Sequence, residues 1–232
     1  MKNILLIGGS SGIGLAIAEQ LHTDNNLFVA CRSNGSLSEL ELTHIPFDVL
    51  NESLDVSKLP AAIDGLVYCP GSINLKPFSS LTPEAFEADM QINFISLVKV
   101  IQTVLPNLRA SEQSSIVVFG SIAATMGIPF HTSVAASKGA IEGFAKALAA
   151  EYAPKIRVNV VAPSLTNTPL ANKFINSESK QEKSAARHPL KRLGKPEDIA
   201  NMATFLLSEK SSWITGQIFH VDGGMSTLLV NG

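Results

Sequence analysis

The chain predicts an α/β fold: one Rossmann-type, doubly wound parallel sheet of about seven strands, with helices on both faces. Three observations carry this. Short unbroken apolar runs alternate with helical patterns along all 232 residues. Strands buried on both faces read as continuous apolar runs, and strand–helix alternation implies parallel crossovers. A glycine turn at residues 8–14, GGSSGIG, joins the first run to the first helical pattern. No internal repeat or linker interrupts residues 1–232, which we read as a single dinucleotide-binding and catalytic domain.

The predicted strands are residues 4–7, 27–31, 66–69, 116–119, 158–162 and 218–221, with a shorter one at 44–47. Each is short, apolar and bounded by polar residues, glycine or proline. Helical spacing of apolar residues predicts helices over 13–21, 83–105, 137–152 and 196–207. Residues 38–42 and 54–62 are too short for full helices, so one face of the sheet is thinly covered. Residues 172–187 are polar, rich in Lys, Ser and Glu, and bracketed by Pro169 and Pro189. We read 169–190 as a mobile substrate lid within the domain, against a plain surface insertion.

A strand, a glycine turn and a helix in that order aim backbone N–H groups and the positive end of a helix at one point. The pyrophosphate of a dinucleotide fits there, because glycine permits both the tight turn and the close approach. The spacing is GxxxGxG, without the Lys-Ser/Thr of a triphosphate loop. A glycine turn that binds nothing is the competing reading.

Ligands of open α/β sheets sit beyond the carboxyl ends of the strands. Arg32 and Ser33, Asp48, Gly71, Ser121 and residues 164–168 hold those positions. Arg32 directly follows the second strand. An acidic residue there would bind ribose hydroxyls, whereas a guanidinium fork suits a 2′-phosphate. The expected cofactor is therefore NADP(H), with a solvated surface Arg as the alternative.

Composition excludes several classes. The formal charge is -2 and 45% of residues are hydrophobic, so nucleic acid is not an expected partner. No apolar run reaches membrane-span length and no secretory signal precedes the first strand, which together point to the cytoplasm. Cys31 and Cys69 end two predicted strands that flank the first. That puts them roughly 10 Å apart, too far for a disulfide. No Cys/His spacing suggests a metal.

Two polar residues stand out on apolar helices. Asn93 lies among Met90, Ile92, Phe94 and Leu97 and needs a hydrogen-bond partner, either a core bridge or a water chain. Lys138 lies at the start of an Ala-rich helix, where the dipole disfavours a cation. A helix so small and apolar suits close packing, plausibly against a second subunit.

Together these residues resemble the short-chain dehydrogenase/reductase family over essentially the whole chain. The matches are GGSSGIG at 8–14, Asp48-Val49, Asn93, Ser121, ASKGA at 136–140, residues 163–168, GKPEDIA at 194–200 and ITGQIFHVDGG at 214–224. The carboxyl half is most similar to β-ketoacyl-carrier-protein reductases. The resemblance implies that Gly8, Ser10, Ser11, Gly12 and Ile13 cradle the pyrophosphate, while Arg32 and Ser33 take the 2′-phosphate. Asp48 and Val49 would flank adenine, with Cys69, Pro70 and Gly71 at the next strand end. Pro163, Leu165 and Thr168 would hold the carboxamide. Lys138 would bind the nicotinamide ribose, Ser121 would polarise a substrate carbonyl, and Asn93 would carry a relay water. A homodimer or homotetramer is implied through the helices of Lys138 and Asn93.

The family's acid is a Tyr four residues before the Lys and thirteen after the Ser. Both spacings lead to Val134. The strand end at 68–71 reads Tyr-Cys-Pro-Gly, and 163–164 reads Pro-Ser, both further departures. Three donors could replace the missing acid: His131, a water held by Lys138 and Asn93 beside Ser121, and Tyr68. Tyr152 lies roughly 21 Å along the helix from Lys138 and is excluded. The expected function is hydride transfer to or from a carbonyl or alcohol with a non-standard proton donor. Alternatives are a non-catalytic cofactor-binding protein and, more weakly, a lyase or isomerase in the same cleft.

Overall fold

The computed structural model describes residues 1–230. Seven parallel strands form one sheet: β1 (Lys2–Ile7), β2 (Asn25–Cys31), β3 (Thr43–Pro46), β4 (Gly65–Tyr68), β5 (Ser114–Phe119), β6 (Ile156–Pro163) and β7 (Ile218–Val221). Their order is β3-β2-β1-β4-β5-β6-β7. The chain moves outward from β1 in one direction to β3, then crosses to β4 on the other side. That reversal between β1 and β4 opens the crevice in which such sheets bind ligands.

Alternation along each strand divides the core. Leu5 and Ile7 face one cluster, with Leu97, Val100, Ile101, Val104 and Leu108 of α3 (Ser96–Ala110) and Ile141, Ala145 and Ala149 of α4 (Thr132–Tyr152). Ile4 and Leu6 face the other, with Ile17 and Leu21 of α1 (Gly12–Leu21) and Ile199, Ala203 and Leu206 of α7 (Pro196–Leu207). Helices therefore cover both faces. Beside β3 the cover is reduced to single turns, Gly35–Leu37 and Val56–Lys58, as the short segments there predict. No helix among the described residues is long and apolar enough to cross a membrane.

The predicted helix 83–105 is instead three pieces. α2 (Pro83–Met90) passes through a π turn, Gln91–Ile95, into α3. The wider turn adds a residue around Asn93, a break that apolar periodicity does not show. α3 also continues through Pro106 to Ala110, because a proline near a helix end forfeits a single bond and the end is tied down elsewhere. Asn107 Nδ2 donates to the Pro60 carbonyl at 2.8 Å and Ile63 N–H donates to the Asn107 carbonyl at 3.0 Å.

α4 starts at Thr132, five residues before the predicted start. Lys138 is consequently in its second turn, and the dipole argument for that residue falls away. The segment between β6 and α7 holds two short helices, α5 (Asn172–Ile175) and α6 (Glu178–Ala186). Cys31, the last residue of β2, and Cys69, just after β4, are both free, and those strands lie either side of β1.

Candidate active site

A cavity of about 600 Å³ runs along the carboxyl ends of the strands. Its floor begins at the β1–α1 turn. Gly12 has φ +56°, and a β-carbon at Gly14 would stand 2.2 Å from the Gly8 carbonyl oxygen. Only glycine permits the chain to fold back this closely. Ser11 precedes α1 in extended conformation and its side chain caps nothing, so the first N–H groups of the helix face the cavity without a side-chain partner. An uncapped helix end behind a glycine cradle is a fitting seat for a pyrophosphate.

Gly8, Ser10, Ser11, Gly12 and Ile13 line the cavity, as do Arg32, Asp48 and Val49. Arg32 is exposed at the mouth. Ser33 is exposed beside Arg32 and does not line the cavity; its backbone carbonyl accepts the Cys31 thiol at 3.2 Å. Asp48 spends its carboxylate on its own turn, accepting from Leu50 N–H and Asn51 Nδ2, each at 3.0 Å. These bonds, that from Leu50 foremost, hold its pKa below the usual carboxylate value.

Deeper in, Cys69, Pro70 and Gly71 form one wall and Pro163, Leu165 and Thr168 the other. Ser121 follows β5 and accepts from Ala123 N–H at 3.1 Å, so its hydroxyl proton is free to point into the cleft. Lys138 is 9% exposed and its Nζ donates to the Phe119 carbonyl at 3.0 Å. Burial lowers its pKa to about 8. Burial likewise pushes the Cys69 thiol up, offset in part by the Lys138 ammonium.

Asn93 is fully buried and does not line the cavity; Gly71 and Ser72 stand in front of it. Its Nδ2 donates to the Asp89 carbonyl and to Ser72 Oγ, both at 2.9 Å, and its Oδ1 accepts Ser72 N–H at 3.2 Å. A β-carbon at Gly71 would come within 2.9 Å of Asn93 Oδ1 and 3.4 Å of Lys138 Nζ. The two side chains therefore converge behind Gly71. Ser72 Oγ in turn donates to buried Asp89 at 2.6 Å. Periodicity gave no sign of this Ser72–Asp89 bridge, since Asp89 reads there as an ordinary surface residue of a helix.

His131 and Val134 both line the cavity. His131 is half-buried, and its Nδ1 donates to the Pro129 carbonyl at 2.7 Å. Val134 is buried one turn before Lys138 on α4. Tyr68 does not serve the cleft. It is buried in the core, its hydroxyl donates to the Ile92 carbonyl at 2.8 Å, and burial pushes its pKa up. Among the described residues, no group of three His, Cys, Asp or Glu could hold a metal ion.

Residues 8–226 match the family model described as enoyl-(acyl carrier protein) reductase. The chain belongs to the short-chain dehydrogenase/reductase family. It is 37% identical to a 3-oxoacyl-[acyl-carrier-protein] reductase of Thermotoga maritima, over 97% of both chains. It is 31% identical to the corresponding protein of Buchnera aphidicola, again over 97% of both. Its fold is similar to that of a Thermoplasma acidophilum aldohexose dehydrogenase, with TM-score 0.89, 28% identity, and coverage of 100% of this chain and 96% of that one. It is also similar to an actinorhodin polyketide ketoreductase solved with NADPH, with TM-score 0.91, 26% identity and 98% coverage of each. The family's members bind nicotinamide dinucleotides, and this chain is an oxidoreductase of that family acting on small molecules.

Proposed function

We propose that the chain is an NADP(H)-dependent carbonyl reductase or alcohol dehydrogenase whose proton donor is not a tyrosine. The observation that carries this is convergence. Residues from five separated segments, at 8–14, 32, 48–49, 121–138 and 163–168, line one cavity at the carboxyl ends of the strands. A reduced nicotinamide, when bound, supplies a hydride with its electron pair.

The chain's own residues do the rest. The glycine turn and the start of α1 hold the pyrophosphate, and Arg32 takes the 2′-phosphate with its planar fork. Leu165 and Thr168 orient the carboxamide. Lys138 holds the nicotinamide ribose, and Ser121 polarises the substrate carbonyl through its free hydroxyl proton. Asn93, its amide spent on Ser72 and Asp89, braces the wall behind Gly71, and the relay water is held in front of it by Lys138. Val134 stands where the family's acid belongs and offers no proton, so another group must; His131 at the rim is the donor most legible in the sequence. Residues 169–190 form the substrate lid, and α3 and α4 are the faces through which a cytoplasmic homodimer or homotetramer forms. The named activities of two relatives, 3-oxoacyl-[acyl-carrier-protein] reductases, support a carbonyl substrate.

The test is a screen of the protein with NADPH and NADH against β-ketoacyl, aldehyde and quinone compounds, alongside Val134→Tyr. The expected result is measurable native turnover with NADPH that Val134→Tyr raises little, since a proton donor is already in place; a gain of about 10²–10⁴-fold, the usual contribution of a positioned acid, would mean that the native site lacks one. NADPH affinity should not change. Native turnover of nothing, with NADPH bound, would favour a cofactor-binding protein without catalysis.

A further inference from the structure

His188 and Ser164 carry chemistry that the reading above leaves unused. Ser164 follows β6 directly, and Ser121 follows β5 by two residues. The strands are neighbours, with Phe119 opposite Val161 and Gly120 N–H donating to the Val161 carbonyl at 2.9 Å. The register carried past the strand ends sets Ser121 opposite Pro163, one residue before Ser164, and both serines line the cavity. His188 also lines it, although only 2% exposed, and approaches from the segment after α6.

The ring is held at both nitrogens. Nδ1 lies 2.8 Å from the Ser184 carbonyl, which can only accept, so Nδ1 keeps its proton. Nε2 lies 2.9 Å from Ser164 Oγ. A hydroxyl can donate to neutral Nε2 or accept from Nε2–H, so the hydrogen bond at Nε2 is met whichever of the two carries the proton. A group that passes a proton needs that equality. His131, by contrast, has one ring nitrogen engaged and a rim position.

We propose that Ser164 and His188 are the proton source of this site, Ser164 touching substrate and His188 acting through it. The inference rests on the carbonyl-reductase reading. In the reducing direction the carbonyl carbon gains hydride and its electron pair, and the C=O π pair moves to oxygen. That oxygen takes the Ser164 Oγ proton. The Oγ–H bond breaks, Oγ takes the Nε2 proton of His188, and the imidazolium becomes neutral with Nδ1–H retained. Once product leaves, a hydronium in the cleft gives a proton to Ser164 Oγ as the Oγ–H proton passes to Nε2, which restores the imidazolium and leaves water.

Two measurements test this. In the protein without cofactor, ¹⁵N spectra should show neutral His188 as the Nδ1–H form, with Nε2 shifted by Ser164→Ala; an Nε2–H form overturns the proposal. In steady state on a substrate from the screen, Ser164→Ala and His188→Gln should each lower kcat about 10²–10⁴-fold. KM and NADPH binding should stay within about threefold, a split that a merely structural role does not produce. Full activity in either variant, or its loss in His131→Gln instead, overturns the pair while leaving the reductase reading intact. If the native protein binds NADPH yet turns over no carbonyl, the reading fails and the pair fails with it.

Discussion

Lys138 is a cation held where charge is costly. Its ammonium is buried against α4, Cys69 and the Phe119 carbonyl, and its pKa falls to about 8 from an ordinary 10.5. The sign of the consequence follows from linkage. Between pH 8 and 10.5 the unfolded chain still binds this proton and the folded one does not, so stability of the cofactor-free protein rises with pH across that window. The full shift corresponds to roughly 3 kcal/mol. Denaturant titrations at pH 7.5 and 9.5 should show the midpoint rise relative to Lys138→Met, which lacks the proton; parallel behaviour of the two proteins would contradict the burial argument. The same proton bears on function. A positive Lys138 favours deprotonation of a nearby hydroxyl, and that effect fades as pH passes 8.

At the scale of elements, the π turn is the feature that shapes the inner wall. It bulges α2 into α3 at Gln91–Ile95 and sets Asn93 behind Gly71, with Asp89 one turn back. Asp89 is buried; one carboxylate oxygen accepts Ser72 Oγ and the other finds no side-chain or backbone partner. Removing the hydroxyl in Ser72→Ala leaves that carboxylate without its donor, which should destabilise the fold by about 1–3 kcal/mol. A shift in the denaturant midpoint measures it, and an unchanged midpoint would mean that the bridge contributes nothing.

The seven strands were legible because buried parallel strands are simple apolar runs, and every one lies within a few residues of its predicted place. The π turn was not legible, since helical periodicity carries no mark of one inserted residue. The early start of α4 was hidden for a related reason. Residues 132–136 read Thr-Ser-Val-Ala-Ala, and the apolar stripe of this helix begins only at Ile141. His188 could not be found from the chain alone, because it meets Ser164 from 24 residues away. Its position between a polar helix and Pro189 looks like any surface loop. Ser33, read as a phosphate partner from its adjacency to Arg32, is exposed and does not line the cavity.

For the molecule as a whole, the sheet order places the reversal between β1 and β4 directly above the glycine turn. The proposed cofactor and substrate positions, among them Arg32, Gly12, Ser121 and Lys138, all line that one cavity. The cleft is assembled from strand ends that pair only in the folded sheet, so the ligand that fills it binds the native state alone and adds stability by mass action. The exposed guanidinium of Arg32 is the group we propose for a 2′-phosphate, and hydrogen bonds to a charged partner contribute about 1.5–3 kcal/mol. Calorimetric titration of the protein with NADPH and NADH tests the central claim most directly. One saturable site per chain is predicted, with NADPH tighter by about 10–100-fold and that preference lost in Arg32→Ala. Absence of binding heat with both dinucleotides, at temperatures far enough apart to expose a cancelled enthalpy, would contradict it.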